Sequence, residues 1–317
     1  MSFVTPQFEE EAPLQAQNKQ KSRFALGVRQ WLQVLPFIGG GLILMCLFVL
    51  YPLFRNVQIS VNEYNIIKNQ MGAFLGLSNY AKLLQDGNWL LALRNTSLYA
   101  LVTVPGQMLL GLVLASLINA ATKGQTAFKV ITYIPVITSW VVVSLVFKYI
   151  FASGNGGLIN YALMQLGIIQ TPIAFLQNEW SANFVLWMFG IWKGTGWTML
   201  IYLAALQGVS KQIYEAAQID GANRMQTFFR MTMPMVRNTS LYLLTVLTIG
   251  AFGAYIHVMM ITNGAPLGRT QELMNYMYTT AFANFDFSYA AAQSVMMGVI
   301  IFALSFLQRK LAKETVN

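Results

Sequence analysis

Four residues in one apolar stretch have types that suit ligand binding better than lipid contact. In FGIWKGTGW, residues 189–197, Gly190, Lys193, Gly194 and Trp197 recur at i, i+3, i+4 and i+7 and so share one helix face. The two glycines let a ligand or a neighbouring helix approach the backbone. The indole offers a stacking surface for a sugar ring, and the ammonium offers charge and three donors. Small-residue helix packing is the competing reading of the same face. Other chemistry is sparse. One cysteine, Cys46, leaves no intrachain disulfide and no cysteine-based zinc site. One histidine, His257, leaves no His-pair metal motif, and no G-x-x-x-x-G-K-[ST] loop gives the chain an ATP site of its own. No catalytic residue, metal ligand or resident cofactor is assigned.

The elements that must position these residues follow from composition. The chain has 317 residues, 56% hydrophobic and 10% charged, whereas a soluble domain has about 45–50% apolar and about 25% charged residues. A surface so poor in charge belongs in lipid, which excludes a disordered chain, a coiled coil and an ordinary cytosolic enzyme. A crossing helix needs about 20 apolar residues, and six stretches qualify: 34–54, 96–119, 127–151, 181–207, 238–262 and 288–307. The expected fold is an all-α membrane protein of six transmembrane helices.

An even number of spans puts both termini on one side, and basic residues choose which. Lys19, Lys21, Arg23, Arg29, Lys123, Lys129, Lys211, Arg224, Arg230, Arg237, Arg309, Lys310 and Lys313 fall on the termini's side. Only Arg55, Lys68, Lys82, Arg94 and Arg269 fall on the other. Both termini are therefore expected in the cytoplasm, which also accounts for the net charge of +9 without nucleic acid. Residues 1–33 form a cytoplasmic tail in which Glu9, Glu10 and Glu11 speak against a cleaved signal. Within it, residues 1–20 read as disordered and 22–33 have the mixture of an interfacial helix or a plain tether. The segment 55–95 is extracytoplasmic and too short for a core of its own, with a helical pattern after GLSNY at 76–80. Residues 308–317 are a second cytoplasmic tail.

The loop 208–235 is the most specific feature. Ser210 suits an N-cap, 211–220 has helical composition, Gly221 suits a helix stop, 222–232 reads as a second short helix, and Pro234 closes it ahead of the fifth span. The result is a compact knob on the inner face, with Ala216 and Ala217 as a small-residue surface and Glu215 as its one negative charge. Glu215-Ala216-Ala217, Asp220-Gly221 and Met233-Pro234 resemble the EAA loop of binding-protein-dependent ABC importer permeases, and the wording EAAQIDGA is similar to the sugar-importing branch. Gly76-Leu77-Ser78-Asn79-Tyr80, Asn95-Thr96 and Thr262-Asn263-Gly264-Ala265-Pro266 with Thr270 are similar to further landmarks of that family. The tail lacks the glycine-rich C-terminal motif of the second permease subunit, so the chain resembles the first, maltose-permease-type subunit, with a type I permease core over 91–307 containing five of the helices.

The resemblance implies a heterodimer with a second permease subunit and two ATP-binding-cassette ATPases that carry ATP and Mg. It also implies an extracytoplasmic solute-binding protein and a place in the bacterial inner membrane. ATPase closure would swing the permeases between inward- and outward-facing forms, with Glu215, Ala216, Ala217, Asp220 and Gly221 as the coupling residues. It places the substrate against Gly190, Lys193, Gly194 and Trp197, and against Leu247 and Ala251 in the fifth span. The apolar character of the last two argues against maltose itself. Lys193 lies near the middle of its span, and the nearest carboxylate in that span order, Glu179, is fourteen residues away, roughly 21 Å along a helix. The ammonium is therefore expected to face a wet cavity, to meet an acid of the partner permease, or to await an anionic ligand. The favoured solute is a carbohydrate or carbohydrate-like anion such as a uronate oligosaccharide or a glycerol phosphate, with a neutral sugar as the alternative. A self-sufficient channel or secondary transporter is the competing function; it would need intramembrane acids, and the six spans contain none.

Overall fold

The computed structural model describes residues 34 and 36–314, apart from 122 and 155. The expected features of 1–33 lie outside the described residues. The chain divides into two units, Met1–Gln58 and Ile59–Asn317, and the helix that fills the described part of the first is taken by itself. It is α1, Pro36–Ser60, which ends six residues later than expected, with one π-helical turn at Cys46–Leu50. Its large apolar side chains are exposed nearly throughout, as lipid-facing side chains are.

The second unit starts with a small antiparallel hairpin that sequence patterning does not reveal. Strands β1, Asn62–Asn65, and β2, Gln70–Phe74, pair with Tyr64 opposite Met71. The turn uses Asn65 Oδ1, which accepts from Lys68 N at 3.0 Å, and Asn69 in the left-handed region at φ 48°. Helix α2, Ser78–Gln85, follows where the weak helical pattern predicts it. Asp86 then caps α3, Gly87–Ala120, accepting from Asn88 N at 2.9 Å and Trp89 N at 3.4 Å. The cap moves the start of this span back from 96 to 87.

The third expected span is broken. α4, Gln125–Ile137, and α5, Trp140–Ile150, meet at 93°. Pro135 lies in the last turn of α4, and Thr138 is extended at φ −71°, ψ 149°. Short α6, Leu158–Gln165, leads to α7, Glu179–Gln207, capped by Asn178. The coupling loop forms α8, Lys211–Ile219, and α9, Arg224–Met235, which bends 69° into α10, Arg237–Phe252. The fifth expected span, 238–262, is also interrupted: Gly253 ends α10, and α11, Ile256–Ile261, restarts after Tyr255. α12, Leu273–Phe282, and α13, Phe287–Glu314, complete the chain.

Among the described residues α1, α3 and α13 are long and apolar enough to cross a bilayer, and the two bent pairs raise the number to five. α7 has the length, 29 residues, but its Trp, Thr, Gly and Lys residues dilute its apolar character, and it is the element most enclosed by others. It packs on α3 through interlocking small residues. A Cβ on Gly106 would stand 2.7 Å from Ile191, and one on Gly111 would stand 2.9 Å from Thr198 Cβ. Thr198 Oγ1 donates to Gln107 O at 2.9 Å across the same seam. Such close approach is what holds helices together in lipid, where no hydrophobic gain separates tail from side chain.

Candidate functional site

The residues that carry the family resemblance outside the coupling loop converge as hydrogen-bonded staples. Asn79 Nδ2 donates to Ser60 O at 3.0 Å, and the Tyr80 hydroxyl pairs with Ser60 Oγ at 2.7 Å. Asn95 Nδ2 donates to Arg269 O at 2.7 Å and Gln271 O at 2.9 Å, while Thr96 Oγ1 accepts from Leu273 N at 2.9 Å. Thr270 Oγ1 donates to Thr262 Oγ1 at 2.9 Å and to Ala265 O at 2.7 Å, and Gly264 N donates to Thr262 Oγ1 at 3.3 Å. The Asn95-Thr96 pair, two turns into α3, thus holds the 262–273 loop by its backbone. The bonds to Ser60 O and from the Gly264 and Leu273 amides are buried, so they satisfy groups that would otherwise be costly, while those to Arg269 O, Gln271 O and Ala265 O are partly buried. Beside them, Glu179 is engaged by Arg94, and Arg269 Nε stands 4.0 Å from its other oxygen.

Lys193 has partners that its sequence position does not suggest. Its side chain is buried, with 2% of the residue exposed. Nζ donates to the Pro135 carbonyl, to Thr138 O at 2.6 Å and to Val136 O at 3.3 Å, with the Trp140 ring centroid 5.3 Å away. These carbonyls are the ones that the break after α4 deprives of in-helix donors. A cation there also meets the negative end of the helix dipole. Within the chain the ammonium is thus not bare: neutral backbone oxygens at the end of α4 and at Thr138 receive it.

The other five expected lining positions are also engaged within the chain. A Cβ on Gly190 would stand 2.9 Å from Tyr99 Cζ, and one on Gly194 would overlap the Gln107 amide, whose Nε2 donates to Gly190 O at 3.2 Å. Trp197 and Leu247 are half-buried in the cluster of α3, α7 and α10, and Ala251 is buried beside Tyr99 and Val104. For Gly190 and Gly194 the helix-packing reading therefore accounts for the residues. A cleft of about 560 Å³ is lined by Pro105, Met108, Leu112, Tyr202, Pro234 and Leu244 among others, none of them an expected lining position.

The coupling loop has the expected shape with two adjustments. Ser210 occupies the N-cap position of α8 without a side-chain bond to the helix. Gly221 ends the helix at φ 75°, with its N–H on Gln218 O at 3.1 Å and that of Ala222 on Ala217 O at 2.9 Å. This left-handed turn is cheap only for glycine. Asn223 and Gln226 then exchange bonds as a capping box for α9. Glu215, Ala216, Asp220 and Gly221 are exposed, but Ala217 is 1% exposed and packs inside. Of the two alanines only Ala216 is exposed, and the loop also exposes the apolar side chains of Ile219, Met225 and Phe229. Helix α9 continues one residue past Pro234, which falls at the start of its final segment, Met233–Met235, after a π-helical stretch at Phe228–Thr232, where a missing N–H is tolerated.

A second cleft, of about 500 Å³, opens among Lys82, Asp86, Tyr276, Asn284, Asp286 and Tyr289. The Tyr276 and Tyr289 hydroxyls donate to Asp86 Oδ2 at 2.7 and 2.6 Å. Burial alone would raise the Asp86 carboxyl, but those hydroxyls and the capped amides outweigh it and hold it below its ordinary 3.8. The carboxylate form is the stabilised one, so its contribution is present above the ordinary value and is lost as pH falls through the lower folded value. Asp86→Ala should lower the melting temperature in detergent by about 5 °C at pH 7. The difference from the native protein should shrink in titrations carried below pH 4; a constant difference would show that the charge contributes nothing.

Residues 107–316 match the family described as binding-protein-dependent transport system inner membrane component. The chain is 33% identical over 291 residues to the lactose transport system permease protein LacF of Rhizobium radiobacter, covering 90% of this chain and 95% of that one. It is 29% identical over 288 residues to the sn-glycerol-3-phosphate transport system permease protein UgpA of Yersinia pestis, covering 90% and 95%. In fold it is similar to a chain of a bacterial ABC transporter involved in the import of the acidic polysaccharide alginate. The TM-score there is 0.79, at 20% identity, over 93% of this chain and 100% of that one.

Proposed function

The chain belongs to the family of binding-protein-dependent transport system inner membrane components, and on that premise we propose how it takes part in import. It is a permease subunit of a multi-pass sugar-type ABC importer in the inner membrane, and it works with a second permease, ATPases and a binding protein. In our reading both termini and the α8–α9 knob face the cytoplasm, ATP and Mg reside on the ATPases, and the knob seats in one of them. The observation that carries this reading is the knob itself: an exposed Glu215 on a short helix, ended by a left-handed glycine and joined to α7 through only Gly208–Ser210. An element so short and so tightly capped moves as a body, and its motion passes to α7.

For the solute, a carbohydrate or carbohydrate-like molecule is the reading that the relatives support. The residue-level reason for an anion was an unpaired Lys193, and its ammonium is occupied by carbonyls. A neutral oligosaccharide is therefore favoured, with the half-buried Trp197 and Leu247 as the side chains closest in character to a path lining. A phosphorylated solute retains the support of a relative that serves sn-glycerol-3-phosphate transport.

Reconstitution tests the assignment. The purified chain alone should give no saturable uptake, and the chain with its second permease, ATPases and binding protein should give ATP-dependent uptake. Robust uptake by the single chain would move the function to a self-sufficient carrier.

A further inference from the structure

The cleft of about 560 Å³ has no part in coupling or in the expected path lining. It lies where α3 and α7 meet the corner between α9 and α10. Met108, Leu109 and Leu112 of α3 and Leu244 of α10 form much of its wall, and Leu109 is 53% exposed. The hydroxyls beside them are already engaged: that of Tyr202 donates to Ser240 Oγ at 2.9 Å, and that of Ser240 donates to Val236 O at 3.1 Å. The wall therefore offers a ligand apolar contact and few polar groups. One lining residue differs. Arg237, the first residue of α10, is half-buried and has no hydrogen-bond or ion-pair partner among the described residues. The basic members of the ion pairs among those residues are Lys82, Arg94, Arg269 and His257.

Depth decides what fits. On the reading that the α8–α9 knob faces the cytoplasm, on which this inference rests, Arg237 stands at the cytoplasmic edge of the bilayer. Leu244 then lies two turns deeper, about 10 Å, or about a third of the roughly 30 Å hydrocarbon core. A charge at the edge of an apolar slot matches an amphiphile, with its head at the surface and its chain within. A sugar would find few open donors or acceptors along this wall, and an ordered water needs about 2–4 polar partners. The guanidinium is weakly hydrated and planar, and its fork suits a phosphate. Arg230 on the same corner is exposed and also without a partner among the described residues, and the nearby acids, Glu215 and Asp220, are exposed and pair with neither arginine. We propose that the cleft is a binding site for an anionic phospholipid of the cytoplasmic leaflet, with its phosphate on Arg237 and one acyl chain along Met108, Leu109 and Leu244. The lipid braces the α9–α10 corner, the joint through which the knob reaches α10.

Lipid counting on the assembled importer tests this. The complex, purified in detergent, is titrated with phosphatidylglycerol and with phosphatidylcholine of the same acyl chains, and retained lipid is read by native mass spectrometry. The native complex should keep one phosphatidylglycerol more than its Arg237→Gln variant. At that site phosphatidylglycerol should be preferred over phosphatidylcholine about fivefold, the effect of one basic group near a membrane surface. Arg237→Lys should keep most of the preference. Leu109→Trp, which narrows the cleft from an exposed position and leaves Arg237 in place, should weaken retention of both lipids. A photo-reactive phenylalanine analogue in place of Leu109, irradiated in native membranes, identifies the occupant: a phospholipid adduct is expected. An adduct with the second permease, or none, overturns the proposal, as does retention unchanged in both Arg237→Gln and Leu109→Trp. If Arg237→Gln fails to assemble, Leu109→Trp and the adduct decide. ATPases that fail to copurify would overturn the transport assignment instead and leave the same titration to be read on the chain alone, so the two failures are distinguishable.

Discussion

Lys193→Met is expected to lower the stability of the chain by about 3–5 kcal/mol and to reduce the amount that reaches the membrane folded. The size follows from what the ammonium does. It is the donor to three carbonyls at the break between α4 and α5, where Thr138 leaves the helix and the backbone supplies no replacement. A buried carbonyl without a donor costs about 1–3 kcal/mol; Pro135 O keeps the Thr138 hydroxyl, so the Val136 and Thr138 carbonyls are the two left bare, which together amounts to about 3–5 kcal/mol. Lys193→Arg keeps the charge but brings a wider, planar group into a site shaped for a point donor, so it should recover only part of the loss. Melting temperature and membrane-inserted yield measure this directly. A Lys193→Met chain as stable as wild type, impaired only in uptake, would return the residue to ligand contact and sink the capping role.

The second large effect is expected at the knob. Glu215→Lys should reduce ATP-driven uptake roughly 30-fold or more, because truncating one member of a partly dry interfacial charge pair commonly costs about 2 kcal/mol or more and the reversal adds repulsion. Gly221→Leu should impair coupling for a different reason. Open space surrounds the residue, so no clash is involved; the side chain instead opposes a φ of 75° at about 1–2 kcal/mol. The turn that ends α8 would then relax and reorient Glu215. Copurification with the ATPase, ATPase stimulation and vesicle uptake separate assembly from coupling. Full coupling in both variants would remove this surface from the ATPase contact.

What the sequence made legible and what it hid divide along the range of the interactions. The αL stop at Gly221 and the helix after GLSNY depend on residues near one another, and the structure has them in place; the apolar runs are legible too, but the break at Thr138, the interruption after Phe252 and the start of α3 at Gly87 are not. Lys193's partners are backbone oxygens 55–58 positions earlier, and a carbonyl leaves no mark in a sequence. The hairpin at 62–74 lacks an Asn-Gly or Asp-Gly turn and a run of β-branched residues, so local patterning is silent there. Its attachment is long-range too: Tyr64 N donates to Ser288 Oγ at 2.9 Å. Ala216 and Ala217 are indistinguishable by type, and only the direction in which α8 packs separates the exposed one from the buried one. Glu272 lies outside every apolar run, yet the staples from Asn95 and Thr96 draw its loop inward.

The enclosed position of α7 has a consequence for how the chain enters the membrane. Its own composition is a weak insertion signal, and its one cation finds its acceptors at the end of α4 and at Thr138. The order of synthesis suits this dependence, since α3, α4 and α5 leave the ribosome first and can offer the glycine seam and the free carbonyls before α7 arrives. Insertion of α7 is then a cooperative event in which earlier helices act as the solvent for a later one. A fragment beginning after Ile150 would ask α7 to partition into lipid unaided, with Lys193 bare.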